Sequence, residues 1–144
     1  MLSKAIQYAI KALIFVSANR NNEARLAVRD IALAIDSPPA FTSKIMQLLV
    51  QAKILTSVKG NGGGFEISFD KMKSTKVLTV LQAIEGDQFL YGCFLGLQDC
   101  SDRNPCPAHN SYAPHREQIM NGLYNVTLFD LINNKSNHSL ILKN

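Results

Sequence analysis

The sequence contains no run of about 20 uninterrupted apolar residues, the length a membrane helix needs, because Lys4, Lys11 and Arg20 break the apolar N-terminal stretch. A membrane partner is therefore not expected. No export signal is evident either, and the expected location is the cytoplasm. Cysteine is scarce: three residues, an odd number that cannot pair completely within one chain, which fits a reducing cytosol and leaves thiol chemistry or metal binding open. Charge is sparse at 18% of residues. At 144 residues the chain is sized for one domain, or one domain with an appended helix, and a multidomain machine is excluded.

The charge that is present is unevenly placed. Residues 1–76 carry 11 Lys/Arg against 5 Asp/Glu, whereas residues 77–144 carry 4 against 6. The first half has the balance of a polyanion-binding module, with a solvated basic face as the plainer alternative.

Hydrophobic periodicity predicts a mainly helical chain. Ile6, Ile10, Leu13 and Val16 mark a core helix over 3–18, and Val28, Ile31, Ala32 and Ile35 a two-turn helix near 28–35 without a good N-cap. A third helix is expected to open at Ser37-Pro38, with the hydroxyl as cap and Pro38 at the first helical position. Its buried face would carry Phe41, Ile45, Leu48, Leu49 and Ala52. Two short helices joined by a tight turn match a helix-turn-helix, a pattern shared by many ordinary helical pairs.

Residues 54–69 narrow the choice. Ile54–Val58 reads as a strand, Lys59-Gly60-Asn61-Gly62-Gly63-Gly64 as a turn in which Asn61-Gly62 supplies positive φ, and Phe65, Ile67 and Phe69 as the returning strand. A hairpin behind a helix-turn-helix is a wing. The glycines do not form a nucleotide-binding loop, since no Lys-Ser or Lys-Thr follows them and a strand stands where a helix should begin. Lys59 beside the tip suits a DNA phosphate or the minor groove, or is an ordinary surface lysine.

After a linker at 70–76, Val77, Val80, Leu81 and Ile84 predict a helix ending at Gly86. Cys93, Cys100 and Cys106, with His109 close behind, lie in a polar, turn-rich loop. A helix then runs to about Asn125, with Ile119, Leu123 and Val126 on one face and its start left open by Pro114. Thr127 with Asp130 caps a last short turn, and the tail from 133 is polar.

Three thiolates and one imidazole within 17 residues are the donors of a tetrahedral metal or a small iron-sulfur cluster, and spacing does not choose between zinc and iron. Buried structural cysteines are the plainer alternative. A thiol enzyme using Cys100 or Cys106 with His109 or His115 is disfavoured because no oxyanion donors are legible. Phe89, Tyr91 and Phe94 are candidates to shield such a site, or packing residues.

The stretch from Thr56 through Lys59-Gly60-Asn61-Gly62-Gly63-Gly64 to Phe69, then Val80-Leu81-Gln82-Ala83-Ile84-Glu85-Gly86, then the three cysteines, resembles the bacterial regulator family that includes IscR and NsrR. The resemblance covers residues 1 to about 132. It implies a winged-helix homodimer whose long C-terminal helices pair, whose cysteine loop holds an iron-sulfur cluster, and whose affinity for double-stranded operator DNA responds to that cluster. In one branch of the family the fourth ligand is a His separated from the last Cys by two residues, as in Cys106-Pro107-Ala108-His109. In another it is a carboxylate from the partner's first helix, where this sequence has Gln7. The expected ligands are thus Cys93, Cys100, Cys106 and His109, and a single His inclines the resemblance toward [2Fe-2S] over [4Fe-4S]. The first cysteine gap is one residue longer than the family's usual five.

Ser43 stands where the family often has a base-reading Glu. By helical projection Ser43 and Gln47 face the major groove with Ala40 and Lys44 flanking, and Lys59 and Asn61 add contacts from the wing. The expected organisation is a winged helix-turn-helix over 1–76, a linker helix, cysteine loop and dimerisation helix over 77–132, and a tail over 133–144. The expected function is a DNA-binding transcriptional repressor, not an enzyme and without a small-molecule substrate. The alternative is a regulator whose loop is a zinc or thiol-redox site.

Overall fold

A computed structural model describes residues 2–21, 25–133 and 142–143, apart from the side chains of residues 88 and 89. His138, most of the 133–144 tail and the Phe89 side chain lie outside the described residues.

Helix α1 (Lys4–Ala18) starts where the Ser3 hydroxyl accepts from the Ile6 N–H, an N-cap that satisfies one of the first turn's free donors. Its Ala9, Ala12, Leu13 and Val16 are buried. Against them pack Ile31 and Ile35 from α2 (Val28–Ala34) and its end, and Ile45, Met46 and Leu49 of α3 (Pro39–Gln51). Both helices of the helix-turn-helix end in the same motif. The Ser37 N–H reaches the Ala32 carbonyl and the Ile54 N–H the Leu49 carbonyl, with Asp36 at φ 53° and Lys53 at φ 57° supplying the left-handed residue. These reversals set the angle at which α3 leaves α2.

Two expectations for α3 are corrected. Ser37 is not its N-cap: Pro38 takes that place, Pro39 is the first helical residue, and the Ser37 hydroxyl pairs with that of Thr42. The buried stripe is Thr42, Ile45, Met46 and Leu49, while Leu48 is 37% exposed and Ala52 is exposed. Thr42 can be fully buried because its hydroxyl also donates to the Pro38 carbonyl at 3.0 Å, so no polar group is stranded.

The hairpin pairs β1 (Thr56–Val58) with β2 (Gly64–Glu66) in antiparallel register, Ser57 opposite Phe65. Leu26 adds a rung on the other side: its N–H donates to the Phe65 carbonyl at 3.2 Å and its carbonyl accepts from Phe65 at 2.9 Å. Both strands are shorter than predicted. At the tip Gly60 and Gly62 carry the positive φ, and Asn61 does not. Phe69 is not strand. The Ser68 hydroxyl accepts from the Lys71 N–H and opens α4 (Phe69–Ser74), which occupies most of the predicted linker.

Helix α5 (Val77–Glu85) ends at Gly86, φ 76°, as its sequence predicts. Its Val80 joins the core of α1 to α3, as do Leu128 and Ile132 of α8 (Leu128–Asn133), so one apolar core runs across residue 76. Val77 and Leu81 form a second cluster with Ile6 and Leu90, and Met120 and Leu123 cover it. These last two lie on α7 (His109–Tyr124), which begins five residues before Pro114 and contains it. The short α6 (Asp87–Tyr91) leads into the cysteine loop. The Thr127 hydroxyl accepts from the Asp130 N–H at 3.1 Å and the Asp130 carboxylate from the Thr127 N–H at 2.8 Å, closing the predicted cap of α8.

Candidate metal centre and nucleic-acid interface

The cysteine loop is folded by its own backbone. The Gly96 N–H donates to the Cys93 carbonyl, with Gly96 at φ 71°, and Ser101 and Asn104 exchange backbone hydrogen bonds of 3.1 and 3.2 Å. Asn104 also donates to the Asp99 carbonyl at 3.2 Å. These two turns bring Cys93, Cys100 and Cys106 together. Their sulfurs all lie within 4.8 Å of one another, and those of Cys93 and Cys106 are 3.5 Å apart. All three are half-buried free thiols. His109, the first residue of α7, places Nδ1 3.3 Å from the Cys100 sulfur and Nε2 2.9 Å from the Asp102 carboxylate.

The environment distinguishes the thiols. Burial pushes the Cys93 thiol up, but the N–H groups of Leu97 and Leu95, with the neighbouring thiols, favour the thiolate more strongly and bring its pKa down to about 7. The Cys106 N–H acts downward on Cys100. Burial and the adjacent Cys93 and Cys106 outweigh it, and the Cys100 thiol is raised. Adjacent sulfurs cannot all ionise cheaply without a cation to share. Three converging sulfurs with an imidazole beside them are soft donors, and their chemistry fits a thiophilic ion or an iron-sulfur cluster.

The loop is also clamped to α7. The Arg116 guanidinium donates to the carbonyls of Tyr91 at 3.1 Å and Gly92 at 2.6 Å, directly before Cys93. Tyr91 and Phe94 are exposed, and the Phe94 ring lies against Tyr112 at 5.0 Å.

On the opposite half, Ala40, Lys44, Gln47, Lys59 and Asn61 are exposed and Ser43 is half-buried. Gln47 and Lys59 line one groove of about 370 Å³ between α3 and the wing, together with Gln51 and Ser57. Ala40, Ser43, Lys44 and Asn61 do not line it. Sequence reading missed Gln51, although it stands one helical turn after Gln47, and it missed Asp102 and Arg116 beside the cysteines.

No helix among the described residues is long and apolar enough to cross a membrane. Comparison with known proteins agrees with this architecture. The sequence model of the Rrf2 family, described as an iron-dependent transcriptional regulator, matches residues 2–134. The chain is 32% identical over 143 residues to a protein of Aquifex aeolicus described as an HTH-type transcriptional regulator, covering 96% of this chain and 95% of that one. It is 25% identical over 129 residues to the HTH-type transcriptional regulator IscR of Yersinia pseudotuberculosis, covering 90% and 77%. Among solved structures, CymR of B. subtilis, titled the global cysteine regulator, superposes with a TM-score of 0.72 at 17% identity, covering 94% of this chain and 98% of that one. IscR of T. potens gives 0.72 at 16%, covering 97% and 93%. These superpositions establish the winged-helix fold with its two-stranded hairpin. With the family model spanning residues 2–134 and these relatives regulators of transcription, the chain belongs to the Rrf2 family of DNA-binding transcriptional regulators, which are not enzymes.

Proposed function

We propose that this regulator holds an iron-sulfur cluster in its cysteine loop, through Cys93, Cys100, Cys106 and His109, and that its operator affinity depends on that cluster. The observation that carries the reading is the convergence of three sulfurs within 4.8 Å, with His109 Nδ1 3.3 Å from one of them. A bound cluster would supply a redox-sensitive crosslink between residues 93 and 109. The chain's own residues do the rest. His109 joins the loop to the start of α7, and Arg116 joins it again two turns further on. Both the [2Fe-2S] and [4Fe-4S] forms suit these donors, and the single imidazole favours the former.

The DNA-binding unit is residues 1–76, with Ala40, Ser43, Lys44 and Gln47 of α3 toward the major groove and Lys59 and Asn61 on the wing. Residues 77–132 are the sensing and dimerising unit. Six large apolar residues within 91–124, Tyr91, Phe94, Leu95, Leu97, Ile119 and Tyr124, are left exposed in the single chain, which supports a homodimer that covers them. A dimer must meet two half-sites together, so a small rotation of α7 changes affinity.

The test is visible absorption of protein purified without oxygen. Brown colour with sulfide-to-iron charge-transfer bands, lost in Cys106→Ala, is expected. Colourless, folded protein from iron-replete cells refutes the cluster. Equal operator affinity of cluster-free and loaded protein at matched salt refutes the coupling, with salt fixed because phosphate contacts dominate affinity.

The 3.5 Å separation of the Cys93 and Cys106 sulfurs, with Cys93 near pKa 7, favours a second reading, a thiol-redox site. Under it, oxidant treatment of colourless protein would link these two residues, and mass mapping would find the disulfide.

A further inference from the structure

Asp102 has no place in the ligand set, yet its carboxylate touches a candidate ligand. Its Oδ1 lies 2.9 Å from His109 Nε2, while Nδ1 of the same ring faces the Cys100 sulfur at 3.3 Å. The two ring nitrogens thus meet opposite demands. An ionised carboxylate can only accept a hydrogen bond, and a neutral imidazole has one N–H to give. The proton therefore belongs on Nε2, and the Nδ1 lone pair is left pointing toward the sulfurs.

The geometry is fixed on both sides. The backbone exchange between Ser101 and Asn104 makes a tight turn with Asp102 on its tip, and the Asn104 N–H also donates to the Ser101 hydroxyl at 3.3 Å. The His109 backbone N–H donates to the Cys106 carbonyl at 3.0 Å, which anchors the ring's attachment point to the last cysteine. The His109 side chain is 13% exposed, whereas that of Asp102 is 98% exposed. Asp102 thus contributes little to the packing of the fold, and the ring it orients is well enclosed.

We propose that Asp102 is a positioning residue: it locks His109 as the Nε2–H tautomer, so that Nδ1 is the atom offered to a metal held by Cys93, Cys100 and Cys106. This rests on the metal-site reading above, and adds to it the ligand atom and the residue that prepares it. Carboxylate partners of this kind raise the basicity of a ligating imidazole and fix its orientation, and their loss lowers metal affinity about 10- to 100-fold in other sites.

The test has two parts on the full chain. First, long-range 1H–15N correlation spectra of reduced, metal-free protein at neutral pH read the tautomer directly. With three histidines in the sequence, a His109→Gln spectrum assigns the resonance. The expected result is protonated Nε2 in the wild type, a mixture of tautomers in Asp102→Ala, and retention of the Nε2–H form in Asp102→Asn, whose amide oxygen still accepts. Second, transfer of Zn(II) from loaded protein to a chromogenic chelator is expected to be about 10- to 100-fold faster in Asp102→Ala and closer to wild type in Asp102→Asn. Protonated Nδ1 in the wild type, or release rates unchanged by Asp102→Ala, would overturn the proposal. Wild-type protein that keeps the Nε2–H tautomer but binds Zn(II) no better than Cys106→Ala would overturn the metal site itself, and with it Nδ1 as a ligand.

Discussion

The wing offers a sharp test of how the glycines are used. At Gly64, φ is +136°, and a Cβ would stand 2.6 Å from the Leu26 carbonyl oxygen and 2.9 Å from its carbon. That carbonyl accepts the Phe65 N–H, and the reciprocal bond from Leu26 completes the rung that holds the hairpin to the body. Gly64→Ala therefore adds backbone strain of about 1–3 kcal/mol and separates a rung whose two hydrogen bonds contribute about 0.5–1.5 kcal/mol each. The expected loss is roughly 2–6 kcal/mol, a large part of a domain's typical 5–15 kcal/mol. Gly62 is the control. It too has positive φ, +73°, but a Cβ there meets nothing within 4 Å, so Gly62→Ala carries only the left-handed penalty of about 1 kcal/mol. Urea unfolding followed by circular dichroism separates the two through their midpoints at constant slope. Operator binding at fixed salt should weaken more for Gly64→Ala, because the tip bearing Lys59 is no longer held in place. Equal midpoints for the two variants would refute the reasoning that the Leu26 rung, rather than the turn itself, fixes the wing.

Met46, fully buried beneath the outward face of α3, should cost about 2–5 kcal/mol as Met46→Ala in the same unfolding assay; an effect below about 1 kcal/mol would mean the helix does not seat there. The hydroxyl and N–H of Thr127 hold the Asp130 carboxyl below its ordinary value of 3.8. A depressed folded-state pKa gives stability that is fully present above 3.8 and lost as pH falls through the lower folded value, so Asp130→Asn should flatten the acid limb of stability against pH, and an unchanged limb would contradict the cap. Arg116→Met leaves the Tyr91 and Gly92 carbonyls without their charged donor, and limited proteolysis should cut the 92–106 loop faster while the unfolding midpoint of the main core moves little. Unchanged cleavage would show that the clamp does not restrain the loop.

The elements that were legible in the sequence are those whose own periodicity and caps decide them. Helices α1, α2 and α5 have three or four apolar residues at helical spacing, and Gly86 and the Thr127–Asp130 pair end or open their helices by local chemistry. Where two local signals conflicted, the sequence misled. Phe69 continues the alternation of Phe65 and Ile67, yet the Ser68 hydroxyl captures the Lys71 N–H and turns the chain into α4. In α3 the choice between Leu48 and Met46 for the interior depends on the whole core. Burying Thr42 is acceptable only because Pro38 and Ser37 satisfy its hydroxyl, which periodicity does not reveal. Pro114 left the start of α7 open in the sequence; five helical residues precede it, and the carbonyl it leaves without a helical donor belongs to exposed Asn110. The same division holds at the candidate site. Spacing brought out the three cysteines and His109, because ligand types cluster in sequence. Asp102 and Arg116 were invisible, since one acts through a turn and the other reaches from α7 to backbone carbonyls.

That division bears on how the two halves of the molecule would communicate. No residue of α7 is fully buried, and Met120 and Leu123 are what seat it on the cluster of Ile6, Val77, Leu81 and Leu90. Its further attachments include three to the cysteine loop and its approach, through His109 at its first residue, the Tyr112 ring against Phe94, and Arg116 at its eighth, and one to Lys76 over the Tyr124 ring. A helix with so few apolar anchors belongs to the low-stability end of the molecule, where local rearrangement costs least. Binding energy spent among the sulfurs under the proposed function would therefore reach α7 before the helix-turn-helix, whose Leu13, Ile31, Ile45 and Leu49 are buried in the main core. On this argument a change at the cysteine loop alters the placement of α7, and leaves α3 and the wing internally unchanged: the readers would move as rigid bodies.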